Sequence, residues 1–212
     1  MDACTPPKIF RQSDLAEIHG LIETHPLGAL ITNGADGLEA NHIPFELDRD
    51  SGEFGTLLGH VARANPVWQT ESQEVLVVFQ GANHYVSPAW YASKQVHGKV
   101  VPTWNYVVAH AYGTLRVIED RDWIRSHMER LTTRHESSSR APWQVSDAPE
   151  SFTERMLRAV VGVEIALARF EAKWKASQNR PETDREGVAE GLRRKGHEDA
   201  MTLAGIVESA RR

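Results

Sequence analysis

The sequence predicts a mainly antiparallel β domain with flanking helices, an α+β chain, and three observations predict it. Short apolar segments alternate with turn residues from Leu27 to Ala62, as in a meander. "EVLVVFQG", starting at Glu74, is apolar enough for a central strand. Helical periodicity is confined to segments before, between and after these runs. The 212 residues suffice for one domain with or without a helical appendage.

Taken in order, "SDLAEIHGLIETHP" predicts a first helix, with Asp14 and Glu17 at capping-box spacing and Leu15, Ile18, Leu21 and Ile22 on one face. Pro26 helps to end it. "LGALITN", "LEANHIPFEL" and "FGTLLGHVA" then read as strands separated by the turns "NGADG" and "DRDSGE". "VPTWNYVVAHAYGTLRVIED" is long enough for one bent strand or two. A helix follows in "DRDWIRSHMERLTTRH", where Trp123, Ile124, Met128 and Leu131 recur at helical spacing. "ESSSRAPWQVSDAPE" reads as a mobile loop, "SFTERMLRAV" as a helix, and "GVEIALARFEAKWKASQ" as a half-buried strand that returns the chain to the sheet. From Asn179 the tail is charged with a helical pattern, which divides the chain into a main domain over residues 1–178 and a helical extension over residues 179–212 packed on it.

Composition narrows the function. A formal charge of -5 argues against a generally basic nucleic-acid binder. The single cysteine, Cys4, cannot form an intrachain disulfide. The longest apolar runs are far too short to span a bilayer and no leader pattern opens the chain, so a cytoplasmic protein is expected. No GxGxxG, Walker loop, GxSxG elbow or HExxH is present, and the ten histidines lack paired metal-ligand spacing, so no metal is assigned.

Three stretches carry unusual mixtures of aromatic, His, Asn and Arg residues. In "GHVARANPVW" a strand ending near His60 runs into a small-residue turn with Arg63 and Asn65, which suits an anion held by a guanidinium and backbone amides; a surface ion pair is the plainer reading of Arg63. In "YVSPAWY" and "VPTWNY" the prolines hold their neighbours extended at an edge or bend. Trp90, Tyr91, Trp104 and Tyr106 there line a flat heteroaromatic ligand or fill a core or dimer interface, and Ser87, Thr103 and Asn105 offer hydrogen bonds to a ligand's edge.

These segments, with "VLVVFQGANHYVSPAWY" and "KWKASQNRPETDREGV", resemble the PaiB family of FMN-binding negative transcriptional regulators over most of the chain. The resemblance implies a split β-barrel of the pyridoxamine 5'-phosphate oxidase type, with FMN at a homodimer interface. It places the phosphate at the turn of His60, Val61, Arg63 and Asn65, and the isoalloxazine beside "ANHIPF", which supplies Asn41 and His42. It brings Trp104 and Asn105 to the ring or its ribityl chain, and returns Lys173, Ser177 and Gln178 to the cofactor. The sequence departs from the family pattern at Ala82, where proline is usual, with the neighbouring histidine displaced towards Asn83 and His84. A regulator implies promoter DNA as a partner, yet the only basic cluster is "LRRKGH" in the tail. The rival readings are a flavin-dependent oxidoreductase using NAD(P)H or oxidising a small substrate and, third, a haem-binding or haem-degrading protein.

Overall fold

The computed structural model describes residues 7–34, 37–70 and 73–210. Cys4 and the turn residues Ala35 and Asp36 lie outside them. Asp14 caps the first helix, α1 (Leu15–Thr24), its carboxylate accepting from the Ala16 amide at 2.8 Å. A two-residue strand β1 (Arg11–Gln12) precedes it. The meander follows as β2 (Leu27–Gly34), β3 (Gly37–Pro44), β4 (Glu46–Asp48) and β5 (Thr56–Ala62). The single strand expected over "LEANHIPFEL" is interrupted at Phe45, whose amide bonds instead to the Pro26 carbonyl at 2.8 Å.

The later strands are long: β6 (Glu74–Val86), β7 (Thr103–Ile118) and β8 (Val160–Lys175). The "VPTWNY…" segment is therefore one continuous strand. Between β6 and β7 lies α2 (Ser93–His97), which periodicity did not reveal; α3 (Arg121–Glu136) and α4 (Glu150–Arg158) precede β8, and α5 (Glu182–Arg193) and α6 (Glu198–Ser209) form the tail. The sheet runs β3-β2-β6-β7-β8-β5-β4, with β1 on β8. The β1–β8, β2–β3, β2–β6, β4–β5 and β5–β8 pairings are antiparallel. This is the split β-barrel class with flanking helices that the sequence predicts.

The chain forms two compact units: Met1–Leu21, Gln80–His110 and Glu171–Arg212 make the first, Ile22–Phe79 and Ala111–Phe170 the second. The second unit has its core on one face of the sheet, where Leu57 and Ile165 are register partners and Leu30, Phe45, Phe79, Leu115 and Val163 are buried. In the first unit α5 packs on Trp90 through Gly191, where an added Cβ would lie 2.3 Å from the indole. Only glycine admits that approach. Asp184, also on α5 and buried, accepts from the Ser93 amide at 2.8 Å and from its hydroxyl at 2.7 Å, anchoring α2. Among the described residues no helix is long and apolar enough to cross a membrane.

Candidate functional site

In the second unit, β5 delivers His60 and the turn that follows it. The turn is fastened by its own backbone: the Arg63 amide donates to the Ala159 carbonyl and the Asn65 amide to the Ala62 carbonyl, each at 2.8 Å. Asn65 is the cross-link to β3. Its side-chain amide donates to Asn41 Oδ1 at 2.7 Å, while its own Oδ1 accepts from the Val67 amide at 2.9 Å. The residues expected beside the ring and those expected at the phosphate therefore meet here. His42, next to Asn41, is exposed, whereas the Val61 side chain is in the core, so only its backbone can face a ligand.

The Arg63 guanidinium is accessible but committed. It pairs with Glu119 at 2.6 Å and donates to the carbonyls of Arg158 at 3.2 Å and Val160 at 3.4 Å. A phosphate at this turn competes with Glu119 for the same donors. The donor chemistry suits FMN phosphate: a guanidinium on a rigid turn binds a dianion more strongly than it binds a solvent-exposed carboxylate.

His60 faces a partner that the sequence did not reveal. Its register partner is Gly162, whose missing side chain lets the Trp123 ring lie against β8, within 2.4 Å of where a Cβ would stand. One turn along α3, His127 is thereby buried, stacked on Trp123 with centroids 5.3 Å apart, and its Nε2 lies 3.3 Å from His60 Nδ1. Its Nδ1 is 3.4 Å from Glu46 Oε2, near enough for attraction although not aligned as a hydrogen bond. We assign the His127 proton to Nδ1, facing that carboxylate, so that His127 Nε2 accepts from His60 Nδ1–H and His60 Nε2 carries no proton. Burial, and then the neighbouring His127, push the His60 pKa down to about 4. Burial also lowers that of His127, against the opposing pull of Glu46.

Glu46 and Trp123, the neighbours of His127, also border a cleft of about 1040 Å³ with Glu164, Arg116 and Arg130 among others, although neither histidine lines it. Its charges are paired internally: Arg130 Nε donates to both Glu46 oxygens at 3.2 Å, Arg116 Nε donates to Glu164 at 3.0 Å, and the Trp123 indole N–H donates to Glu164 at 3.0 Å. The signal for His127 was present in the sequence, since it falls three residues after Ile124 on the apolar stripe of α3.

The remaining expected residues belong to the first unit. Trp104 and Asn105 face opposite sides of β7. Asn105 is fully buried and exchanges two hydrogen bonds with Ser177, at 3.0 and 3.3 Å, while Trp104 is 50% exposed. Ser177 holds a positive φ of 63° in a tight turn after β8, where Gln178 Oε1 accepts from the Ala176 amide at 2.7 Å and its Nε2 donates to the Trp174 carbonyl at 2.5 Å. Ser87 caps a short 3-10 turn, accepting from the Ala89 amide at 3.2 Å. Lys173 lies over the Tyr106 ring, 5.2 Å from its centroid. Asn105, Ser177, Gln178 and Ser87 thus spend their polar groups on the fold. Among the described residues no cluster of three His, Cys, Asp or Glu side chains is arranged to hold a metal.

Comparison with known proteins agrees with the fold. The family described as "Putative FMN-binding domain" matches residues 5–169. A protein of Emericella nidulans, AN0679, is 35% identical with 94% of each chain covered, and protease synthase and sporulation protein PAI 2 of Bacillus subtilis is 29% identical with 95% of each covered. Among solved structures, the FAD and heme binding protein from Mycobacterium smegmatis superposes with a TM-score of 0.60 at 19% identity, over 85% of this chain and 80% of the other. With a family match over most of its length and PAI 2 among its full-length relatives, the chain belongs to the PaiB-type family of FMN-binding domains.

Proposed function

We propose that this protein binds FMN rather than FAD, with the phosphate at the His60–Asn65 turn, and serves as a negative transcriptional regulator of the PaiB type. The observation that carries the cofactor half is the Asn41–Asn65 link, which joins the strand expected along the ring to the turn expected at the phosphate. Arg63 supplies the phosphate's charge partner, and His60, kept neutral by burial, offers an uncharged acceptor. A regulator role is favoured by full-length similarity to PAI 2, named a sporulation protein. When bound, FMN supplies reversible electron and hydride chemistry. The homodimer expected from the family is part of this reading, with exposed Trp104 as its marker.

One observation favours a flavin-dependent oxidoreductase as the second reading. In the tail cluster, Arg193 pairs with Glu208 at 2.5 Å and Arg194 with Glu190 at 2.5 Å, so two of its three cations are neutralised before DNA arrives.

Fluorescence titration with FMN tests the site. We expect Arg63→Ala to weaken binding about 10-fold to 100-fold, the loss of a charge-assisted contact worth roughly 1.5–3 kcal/mol. Glu119→Gln, which removes the competing carboxylate, is expected to tighten it about twofold to tenfold. If both variants bind like the wild type, the phosphate lies elsewhere; if FAD binds tighter than FMN, the choice of flavin is wrong.

A further inference from the structure

Arg63 and His60, the charged and the titratable group of the phosphate turn, are held by one stretch of chain. Arg63 pairs with Glu119, just before α3, at 2.6 Å. His60 Nδ1 lies 3.3 Å from His127 Nε2 on α3, and Trp123, between Glu119 and His127, packs on Gly162. The two groups are also close along β8. The Arg63 guanidinium donates to the Val160 carbonyl at 3.4 Å, and Gly162, two residues on, is the register partner of His60. Two residues of strand span roughly 7 Å, inside the Debye length of about 8 Å at physiological salt. A charge brought to Arg63 is therefore felt at His60.

In the free protein Arg63 and Glu119 offset each other, and burial keeps His60 neutral. A phosphate dianion that displaces Glu119 leaves this corner with excess negative charge, which favours a proton on the nearest imidazole. The row is arranged to accept one. With His60 Nδ1–H facing His127 Nε2 and His127 Nδ1–H facing Glu46, a proton from solvent that lands on His60 Nε2 completes the cation without changing a tautomer. Glu46 closes the row with a negative charge that it shares with Arg130. The remaining charge nearby on β8, Glu164, is taken by Arg116 and the Trp123 indole.

We propose that ligand binding at this turn is coupled to uptake of a proton by the His60–His127–Glu46 row, so that the site holds a phosphate ester more tightly as the pH falls from neutral towards about 6. The sign follows from linkage, since a complex that holds more protons than its separate components is favoured by acid. Above neutral pH His60 stays uncharged with or without ligand, and the coupling is silent. The proposal rests on the flavin reading for the identity of the ligand.

Calorimetric titration with FMN in buffers of different ionisation enthalpy counts the protons taken up. At about pH 6 we expect the wild type to take up at least about 0.4 proton more per FMN than His60→Asn, a difference from which the titration of the phosphate itself cancels. Between about pH 8 and about pH 6 its FMN affinity should gain about twofold to tenfold relative to that variant. Glu46→Gln keeps the shape of the row and removes its closing charge. It should bind FMN within about threefold of the wild type at about pH 8, yet lose more than about half of the extra proton at about pH 6. Equal uptake by wild type and His60→Asn, or undiminished uptake by Glu46→Gln, would overturn the coupling and leave the flavin reading standing. Protein that binds no FMN removes both.

Discussion

At the residue scale, the histidine row is where burial and charge meet. His60 and His127 are both held neutral, so the folded state binds protons less readily than the unfolded chain. The folded pKa of His60 is about 4, against roughly 6.5 unfolded. The stability it contributes is therefore fully present above about pH 6.5 and is lost as pH falls towards 4. We expect urea unfolding to show a loss of about 1–3 kcal/mol across that window, and His60→Asn to flatten the slope. The slope that persists belongs to His127 and His110, which burial also lowers. An unchanged slope in His60→Asn would mean that the row does not govern acid sensitivity. His127 and Glu46 were hard to read beforehand because their partners are 67 and 81 residues away along the chain, and only the absent side chain of Gly162 brings α3 down onto the sheet.

At the element scale, "VPTWNY" shows how much a strand's period settles and where it stops. Period two dictates that Trp104 and Asn105 point to opposite faces. It does not say which face is the core. The structure turns Asn105 inward to Ser177 and leaves Trp104 outside, so the polar residue is the structural one. Asn105→Ala strands a buried Ser177 hydroxyl and is expected to cost about 1–3 kcal/mol in chemical denaturation. An Asn105→Ala protein of wild-type stability would show that this pair contributes little. The sequence left this segment open as one bent strand or two, and the structure makes it one, whereas α2, a five-residue helix, is too short for periodicity to show.

At the scale of the whole molecule, net charge and tail chemistry bear on the two functional readings. With Arg193 and Arg194 already paired, Lys195 is the cluster's cation without a carboxylate partner among the described residues. If the protein represses transcription through this tail, replacing all three with Gln should lower the salt slope of promoter binding by at most about one to three charges. Binding no tighter than to random DNA, together with bleaching of the flavin by NAD(P)H, would move the function to the oxidoreductase. Sedimentation of wild type and Trp104→Ala tests the dimer: we expect dissociation at lower concentration in the variant, and a wild type that is monomeric while holding FMN would remove the interface from the proposal.

The sequence by itself determined most of the elements, though not α2 or the break at Phe45, together with the antiparallel class and the family, because these rest on local periodicity, turn chemistry and four long motifs that survive without knowledge of contacts. It also marked the Arg63 turn as suited to an anion. What only the tertiary structure decided is who each polar group answers to: Glu119 for Arg63, Asn41 for Asn65, His127 for His60, and Ser177 for Asn105. These partners are remote in sequence. A side chain's role depends on the charge and burial of what folding sets beside it, and that information is absent from any short stretch of the chain.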